Sequence, residues 1–234
     1  TRVRETLKRI SVSNWPTISN DIIKFSLLNK QLLLKINKIF SKWVHNNILI
    51  DNRGAMRVDF KNLQNIFEKS NLFTISIFGR IIKTVGGNEY APKREKTLNC
   101  LKHIFSPTFK NTNLGNVKIS LKKSYLFFTR ENRNINFDIE IIKNKKYIFD
   151  GRFFLTSKYS GNLISSEFHN FESVKNNNPF AECEDDINST IPFMSTLEGA
   201  TIKPYFNISG GKSHIKTNSE GKFYELSLIN TKFM

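Results

Sequence analysis

Apolar residues recur every three to four positions over the first part of the chain, which is the spacing of one face of an α-helix. The longest such segment covers residues 21–43. Further helices are predicted after Asp59 as N-cap, at residues 72–85 with Gly86-Gly87 as a stop, and at residues 95–105. The pattern therefore predicts a mainly helical first part.

After Pro107 the apolar residues follow a period of two, which is typical of β-strands. Two pairs of strands are predicted, each joined by a lysine-containing turn. They are 117–121 with 125–128 around a turn at 122–124, and 137–142 with 147–155 around a turn at 143–146. Short strands are also predicted at 201–206 and 223–228, separated by a hairpin loop.

The change of period near residues 106–113 divides the chain into two predicted domains. Residues 1–108 are expected to form a helical bundle, and residues 109–234 a β-rich domain. The predicted fold class is therefore α+β.

The charge is strongly positive, with 36 Lys and Arg against 20 Asp and Glu and a formal net charge of +16. Such an excess attracts polyanions, so nucleic acid is the first candidate partner and an anionic membrane surface the second. An AT-rich genome would also favour Lys codons, so charge alone does not fix a function. Because the basic residues of the predicted long helix are not gathered on one face, a membrane surface is disfavoured.

Two cysteines, Cys100 and Cys183, lie far apart and form no CxxC pair, which favours a reduced, cytoplasmic protein over a zinc knuckle. No run of about 18 apolar residues is present, so no membrane span is predicted. The first four residues contain neither a Met nor the apolar core of a signal peptide. We expect the chain to be part of something longer.

No catalytic apparatus is predicted from spacing. Residues 209–213 (SGGKS) resemble a phosphate-binding loop, but they lack the Asp of the SGGxDS motif and no helix follows, which favours a hairpin loop. Histidines 45, 103, 169 and 214 form no ligand pair, so no metal site is expected. An acidic cluster is interpreted as a solvated loop or a helix start rather than a cation site: Glu182, Glu184, Asp185 and Asp186.

Basic residues gather near predicted helix ends and turns, where they can bind phosphate, and one neighbouring tyrosine can stack on a base or ribose. The candidate nucleic-acid contacts are Arg2, Arg4, Arg80, Lys83, Tyr90, Lys93, Arg94 and Arg152. For most of them the alternative is a solvated basic face. For Arg152 the stronger alternative is an internal salt bridge with Asp150.

Several of these residues belong to motifs that resemble alphaproteobacterial tRNA(Ile)-lysidine synthases. The motifs are RVR at 2–4, VGGNEYAPKR at 85–94, LGNV at 114–117 with FTRE at 128–131, FDGRF at 149–153, and IP at 191–192 followed by Gly199. The family patterns read VGGxxYPPR and WDGRF, so this chain departs from them at Ala91, Lys93 and Phe149. The main motifs keep the family's order from residue 2 to about 155.

The resemblance implies an ATP-dependent ligase that joins lysine to the wobble cytidine of tRNA(Ile), forming a C–N bond. In the family, ATP adenylates O2 of the cytidine, and the ε-amine of lysine then attacks C2 and releases AMP. ATP and Mg²⁺ bind an N-terminal catalytic domain through SGGxDS, which this chain lacks. The resemblance therefore implies the part that holds tRNA, with no cofactor bound by this chain and no activity on its own. The alternative is a non-catalytic basic RNA-binding module or a decayed, inactive fragment.

Overall fold

The computed structural model describes residues 5–6, 17–165, 178–197, 201–207 and 223–229. Its helices and mainly antiparallel sheets confirm the predicted α+β class. The chain separates into two compact units, Thr1–Asn46 and Asn47–Phe233.

The first unit contains nearly all of helix α1, Ile18–Asn47, which confirms the helix predicted at residues 21–43. At its start the Thr17 hydroxyl donates a 2.7 Å hydrogen bond to the carboxylate of Asp21. A negative charge in the first turn also suits the positive end of the helix dipole. Many apolar side chains of α1 are exposed, including Phe25 at 67% and Leu28 at 64%.

The lysines of α1 share one side of the helix. Lys24, Lys35, Lys38 and Lys42 are separated by nearly whole turns, at about 3.6 residues per turn. Lys30 lies on a different side of the helix. For the other four lysines, the expectation that basic residues are not gathered on one face of this helix is therefore wrong. The distribution of the lysines on α1 therefore does not disfavour a membrane surface.

The second unit contains two sheets. The first has the strand order β1-β2-β5-β4-β3, and all neighbours in it are antiparallel. Its strands are β1 (Ile48–Ile50), β2 (Met56–Asp59), β3 (Asn111–Leu114), β4 (Val117–Lys122) and β5 (Tyr125–Arg130). The predicted β4–β5 hairpin is confirmed, and Lys123 has a positive φ of 53° in its turn.

Three helices, α2 (Phe60–Lys69), α3 (Asn71–Val85) and α4 (Arg94–Ile104), match the predicted ones. Asp59 caps α2 by accepting a 2.8 Å hydrogen bond from the Asn62 amide, as its position before the apolar pattern indicated. Helix α3 is buried along most of its length. It packs on the first sheet, where the rings of Phe78 and Phe128 meet edge to face at 5.5 Å.

The first sheet combines parts of the chain that the sequence assigned to different domains. Strands β1 and β2 precede residue 108, whereas β3 to β5 follow it, and β2 pairs with β5 from Met56 opposite Phe128 to Asp59 opposite Tyr125. The boundary proposed at residues 108/109 therefore falls inside Asn47–Phe233. Local periodicity gave no information on this long-range pairing, and β1 is too short to show a period.

The second sheet has the order β6-β9-β10-β11-β12-β8-β7. Its strands are β6 (Glu140–Ile141), β7 (Lys146–Phe149), β8 (Phe153–Thr156), β9 (Gly161–Ser165), β10 (Pro192–Thr196), β11 (Thr201–Asn207) and β12 (Phe223–Leu228). Buried side chains from all seven of these strands form one core, with Phe149, Phe153, Leu155, Met194 and Leu226 among them.

Two predicted strand pairings in this region are wrong. Residues 147–155 form two strands, β7 and β8, which turn at Asp150-Gly151, whereas β6 pairs with β9. Strands β11 and β12 occur where they were predicted, but they are parallel, so a tight hairpin cannot join them. The loop at 209–213 lies outside the described residues.

The acidic cluster forms a 3₁₀ turn, Ala181–Cys183, followed by the short helix α5, Glu184–Asn188, which confirms a helix start. Its carboxylates pair with cations of the first sheet: Glu184 with Arg53, Asp186 with Lys118 at 2.8 Å, and Glu182 with Lys123 at 2.6 Å. In the part of the chain that the structure describes, no three His, Cys, Asp or Glu side chains are grouped to hold a metal. None of the helices described there has the length and apolar character to cross a bilayer.

Cys100 on α4 provides a test of packing. Burial raises the pKa of its thiol from 9.0 to about 11. The folded state therefore retains this proton at higher pH than the unfolded state. The contribution of the buried Cys100 thiol to stability is complete below pH 9.0 and is lost as the pH rises through about 11.

We expect iodoacetamide to alkylate Cys100 about tenfold more slowly in native protein than in urea near pH 8, because the thiolate is the reactive form. Mass spectrometry of the Cys100 peptide measures both rates, and equal rates would contradict the burial.

Candidate nucleic-acid interface

A shallow groove lies between α3 and α4, within the second unit. It encloses about 390 Å³. Its lining combines apolar and cationic side chains: Leu72, Ile75, Ser76, Gly79, Arg80, Ala91, Pro92, Arg94 and Thr97. The connecting segment lies next to Gly79 of α3, where a Cβ would be 3.5 Å from the Cβ of Ala91, an ordinary van der Waals distance.

Five of the predicted contact residues surround this groove or lie next to it. Arg80 is exposed on α3 and Arg94 is exposed at the first position of α4, and both line the groove. Lys83 is half-buried in the last turn of α3, and Lys93 is exposed as the residue before α4. Tyr90 projects from the connection with 74% of its surface exposed. The fold therefore places Arg80 and Arg94 at one groove, with Lys83, Tyr90 and Lys93 on the segments that adjoin it.

The charge balance of this surface suits an anion. Residues 80–96 contain five Lys or Arg and two Glu, which gives a net charge of +3 (five minus two). Elsewhere in the described residues, cations such as Arg53, Arg130 and Arg152 are held by carboxylates. Over the same described residues, Arg94 has no carboxylate within salt-bridge distance. Its guanidinium is therefore available to bind a phosphate group in the two-pronged geometry that Arg favours.

The connection between α3 and α4 is held by close backbone packing. Gly87 has a φ of 64°, in the region that favours glycine. A Cβ added at Gly87 would overlap the carbonyl oxygen of Asp150, and one added at Gly151 would overlap the carbonyl oxygen of Gly87. The Gly86-Gly87 turn and the turn of the β7–β8 hairpin therefore lie directly against each other.

A buried ion cluster lies behind these two turns. The carboxylate of Asp150 accepts hydrogen bonds from Arg130 at 2.8 and 2.9 Å and from Arg152 at 2.7 Å. The Arg152 side chain also donates a 2.9 Å hydrogen bond to the carbonyl of Thr190. All three charged side chains are at most 7% exposed. One carboxylate thus neutralises part of the charge of two arginines.

Arg152 is not part of the surface that faces the solvent. The internal salt bridge with Asp150, which was the alternative to an RNA contact, is present in the structure. Burial lowers the pKa of Arg152 to about 10, Asp150 opposes this shift, and the charge of Arg130 adds to it. The guanidinium remains charged at neutral pH and holds the fold together, so we remove Arg152 from the candidate contacts.

Four segments of the sequence motifs that supported the family resemblance meet at this place. Asn88, next to the glycine turn, donates a 2.6 Å hydrogen bond to the carbonyl of Gly115 and accepts one of 3.1 Å from the side chain of Asn116. Arg130 donates to the carbonyl of Asn116 at 3.2 Å. Motif residues from 85–94, 114–117, 128–131 and 149–153 thus form one junction, which the sequence did not predict because each motif was interpreted alone.

Two glycine substitutions should act in opposite directions. Gly87→Ala should lower the free energy of unfolding by about 2 kcal/mol or more, because Ala is strained at positive φ and its Cβ displaces the Asp150 turn. Gly79→Ala should raise it by about 0.5–1 kcal/mol, because Ala is favoured inside a helix and the space beside Ala91 is sufficient. Urea unfolding followed by circular dichroism measures both, and equal effects would contradict the packing described.

Arg2 and Arg4 lie outside the described residues, so their position relative to this interface is not described. The comparisons with protein-family models, with curated proteins and with solved structures gave no match to this chain.

Proposed function

We propose that this chain binds tRNA through the groove between α3 and α4, as the tRNA-holding part of a tRNA(Ile)-lysidine synthase. The observation that carries RNA binding is the surface that combines Arg80, Lys83, Lys93 and Arg94 with the exposed ring of Tyr90. Arginine and lysine contacts to phosphate position RNA, and exposed aromatic rings stack on its bases. The resemblance of four ordered motifs supports the choice of tRNA(Ile) over other RNA.

Within this proposal the chain has a positioning role. The excess of positive charge speeds the encounter with tRNA, and the cations around the groove fix its orientation by binding backbone phosphates. Ligation of lysine with consumption of ATP belongs to the whole enzyme, whose family binds ATP and Mg²⁺ in a separate catalytic domain. A cytoplasmic location, where tRNA, lysine and ATP are available, is part of the same proposal.

The proposal predicts tight, salt-sensitive binding of tRNA(Ile). Filter binding should show a preference over random RNA of the same length, and affinity should fall by about tenfold or more between about 50 and 200 mM salt if several phosphates are contacted. The chain alone should not hydrolyse ATP. If tRNA(Ile) and random RNA bind equally, the chain is better described as a general basic RNA-binding module. If neither binds, the proposed function is wrong.

A second candidate rests on α1. Its row of four lysines lies beside exposed apolar side chains that include Phe25, Leu28 and Leu32, a combination that suits an anionic lipid surface. Co-sedimentation with vesicles of phosphatidylglycerol, compared with vesicles of phosphatidylcholine, tests it. Binding only to the anionic vesicles, lost on substitution of Phe25 and Leu32 by Ser, would favour this function. Binding to neither would exclude it.

A further inference from the structure

We propose that the groove between α3 and α4 takes an unpaired nucleotide, with its base on the apolar floor and its neighbouring phosphates on the two arginines. This inference rests on the proposed function, because it assumes that the surface binds RNA. It specifies which kind of RNA structure is recognised there, namely a single-stranded loop or end rather than a duplex.

The shape and polarity of the groove favour an unstacked base over a duplex. The apolar part of the groove's lining, called the floor below, consists of Leu72, Ile75, Gly79, Ala91 and Pro92, of which Ile75 and Gly79 are buried. An A-form duplex presents phosphates and sugar edges at its outside, and these groups would lose water against such a floor without gaining hydrogen bonds. An unstacked base presents a flat, largely apolar face, and stacking or packing of this face is how single-stranded RNA is bound.

The size of the groove is consistent with this occupant. A volume of about 390 Å³ lies at the lower end of the range of small-molecule sites. The groove is shallow, and its volume suits the face of one ring system rather than a stacked pair of strands.

The positions of the two arginines suit the phosphates next to the inserted base. Arg80 and Arg94 lie on different helices and both border the groove, so phosphates on the two sides of one inserted nucleotide meet a guanidinium each. The exposed ring of Tyr90 lies in the segment that forms one wall, where it can stack on the next base. An arrangement of one apolar slot, two cations and an aromatic ring matches one nucleotide and its neighbours along a strand.

The test fills the groove without changing charge. Ser76 is exposed on α3 and lines the groove, and Ser76→Trp places an indole over the floor. Asn99→Trp adds the same ring at an exposed position of α4 that does not line the groove, so it is the matched control. The probes are a fluorescein-labelled 12-nucleotide oligouridine and a 12-base-pair RNA duplex, each measured by fluorescence anisotropy at equal salt concentration.

We expect the unmodified protein to bind the single strand more tightly than the duplex. Ser76→Trp should weaken binding of the single strand about tenfold, as loss of one base contact predicts, and leave the duplex unchanged. Asn99→Trp should change neither. Equal affinity of the unmodified protein for both probes, or equal effects of the two Trp variants, would overturn the inference while RNA binding itself remained.

Crosslinking of the unmodified protein gives a second readout that does not depend on a variant folding. Oligouridine with one 4-thiouridine should crosslink to peptides from residues 72–79 or 90–94. Crosslinks confined to other parts of the chain would overturn the inference even if tRNA binds. Absence of binding to every RNA tested would instead refute the proposed function on which it rests.

Discussion

Replacement of Asp150 by Asn should lower the free energy of unfolding by about 3–5 kcal/mol, the range measured when one partner of a buried ion cluster is removed. The carboxylate of Asp150 is the shared partner of Arg130 and Arg152, and all three side chains are buried. Asn has the same size but no charge, so two guanidinium groups would remain buried without a counter-ion. A loss of this size is a large part of the stability of a typical domain.

Urea unfolding, followed by circular dichroism, measures this effect. Asp138→Asn is the matched control, because Asp138 is exposed and its carboxylate has no ion-pair partner within the described residues. A double variant, Asp150→Asn with Arg130→Met, should recover part of the stability, since one of the two unpaired charges is then replaced by an apolar chain of similar length. Equal stability of the Asp150 and Asp138 variants would contradict the role of the cluster.

Replacement of both Arg80 and Arg94 by Gln should weaken binding of tRNA about a hundredfold, if each charge-assisted hydrogen bond to phosphate contributes about 1.5 kcal/mol. Because two phosphate contacts are lost, the slope of the logarithm of affinity against that of salt concentration should become less steep by about 2. Both side chains border the groove on exposed parts of the helices, and urea unfolding of the variant measures whether its stability changes with its affinity.

The control for this variant removes the same amount of charge elsewhere. Arg133 and Lys158 are exposed and lie outside the groove, and both are replaced by Gln. If this control loses as much affinity as the groove variant, the overall charge carries binding and the groove has no special role. If only the groove variant loses affinity and salt sensitivity, the contact is local.

The sequence was most informative where local physical chemistry decides the structure. Helix α3 was predicted almost to the residue, because a long apolar period ends at two consecutive glycines. The β4–β5 hairpin was predicted for a similar reason, since two alternating segments flank a short polar turn. Two of the candidate contacts, Arg80 and Arg94, line one groove, and Lys83, Tyr90 and Lys93 lie on the same helix or in the same connection, because all five are neighbours in sequence around one turn between helices.

These local patterns did not predict which strands pair when they are far apart in sequence. The sequence did not predict that β2 pairs with β5 across residues 108/109, and the predicted pair of 137–142 with 147–155 was wrong because β6 pairs with β9. Periodicity reports which face of a strand is apolar, but it does not report which strand lies beside it. Arg152 illustrates this limit in part, because its salt bridge with Asp150, two residues away, was anticipated from the sequence, whereas only the fold adds Arg130 to the buried cluster.

The sequence by itself thus determined the α+β class, most of the helices, the positive charge and the grouping of basic residues around Gly86-Gly87. These are local properties, set by the residue types and by their spacing along the chain. Only the tertiary structure decided that Arg152 faces inward, that the motifs at residues 85–94, 114–117, 128–131 and 149–153 form one junction, and that an apolar groove separates Arg80 from Arg94. The physical reason is that burial and close backbone contact depend on segments far apart in sequence, whose approach no local pattern encodes.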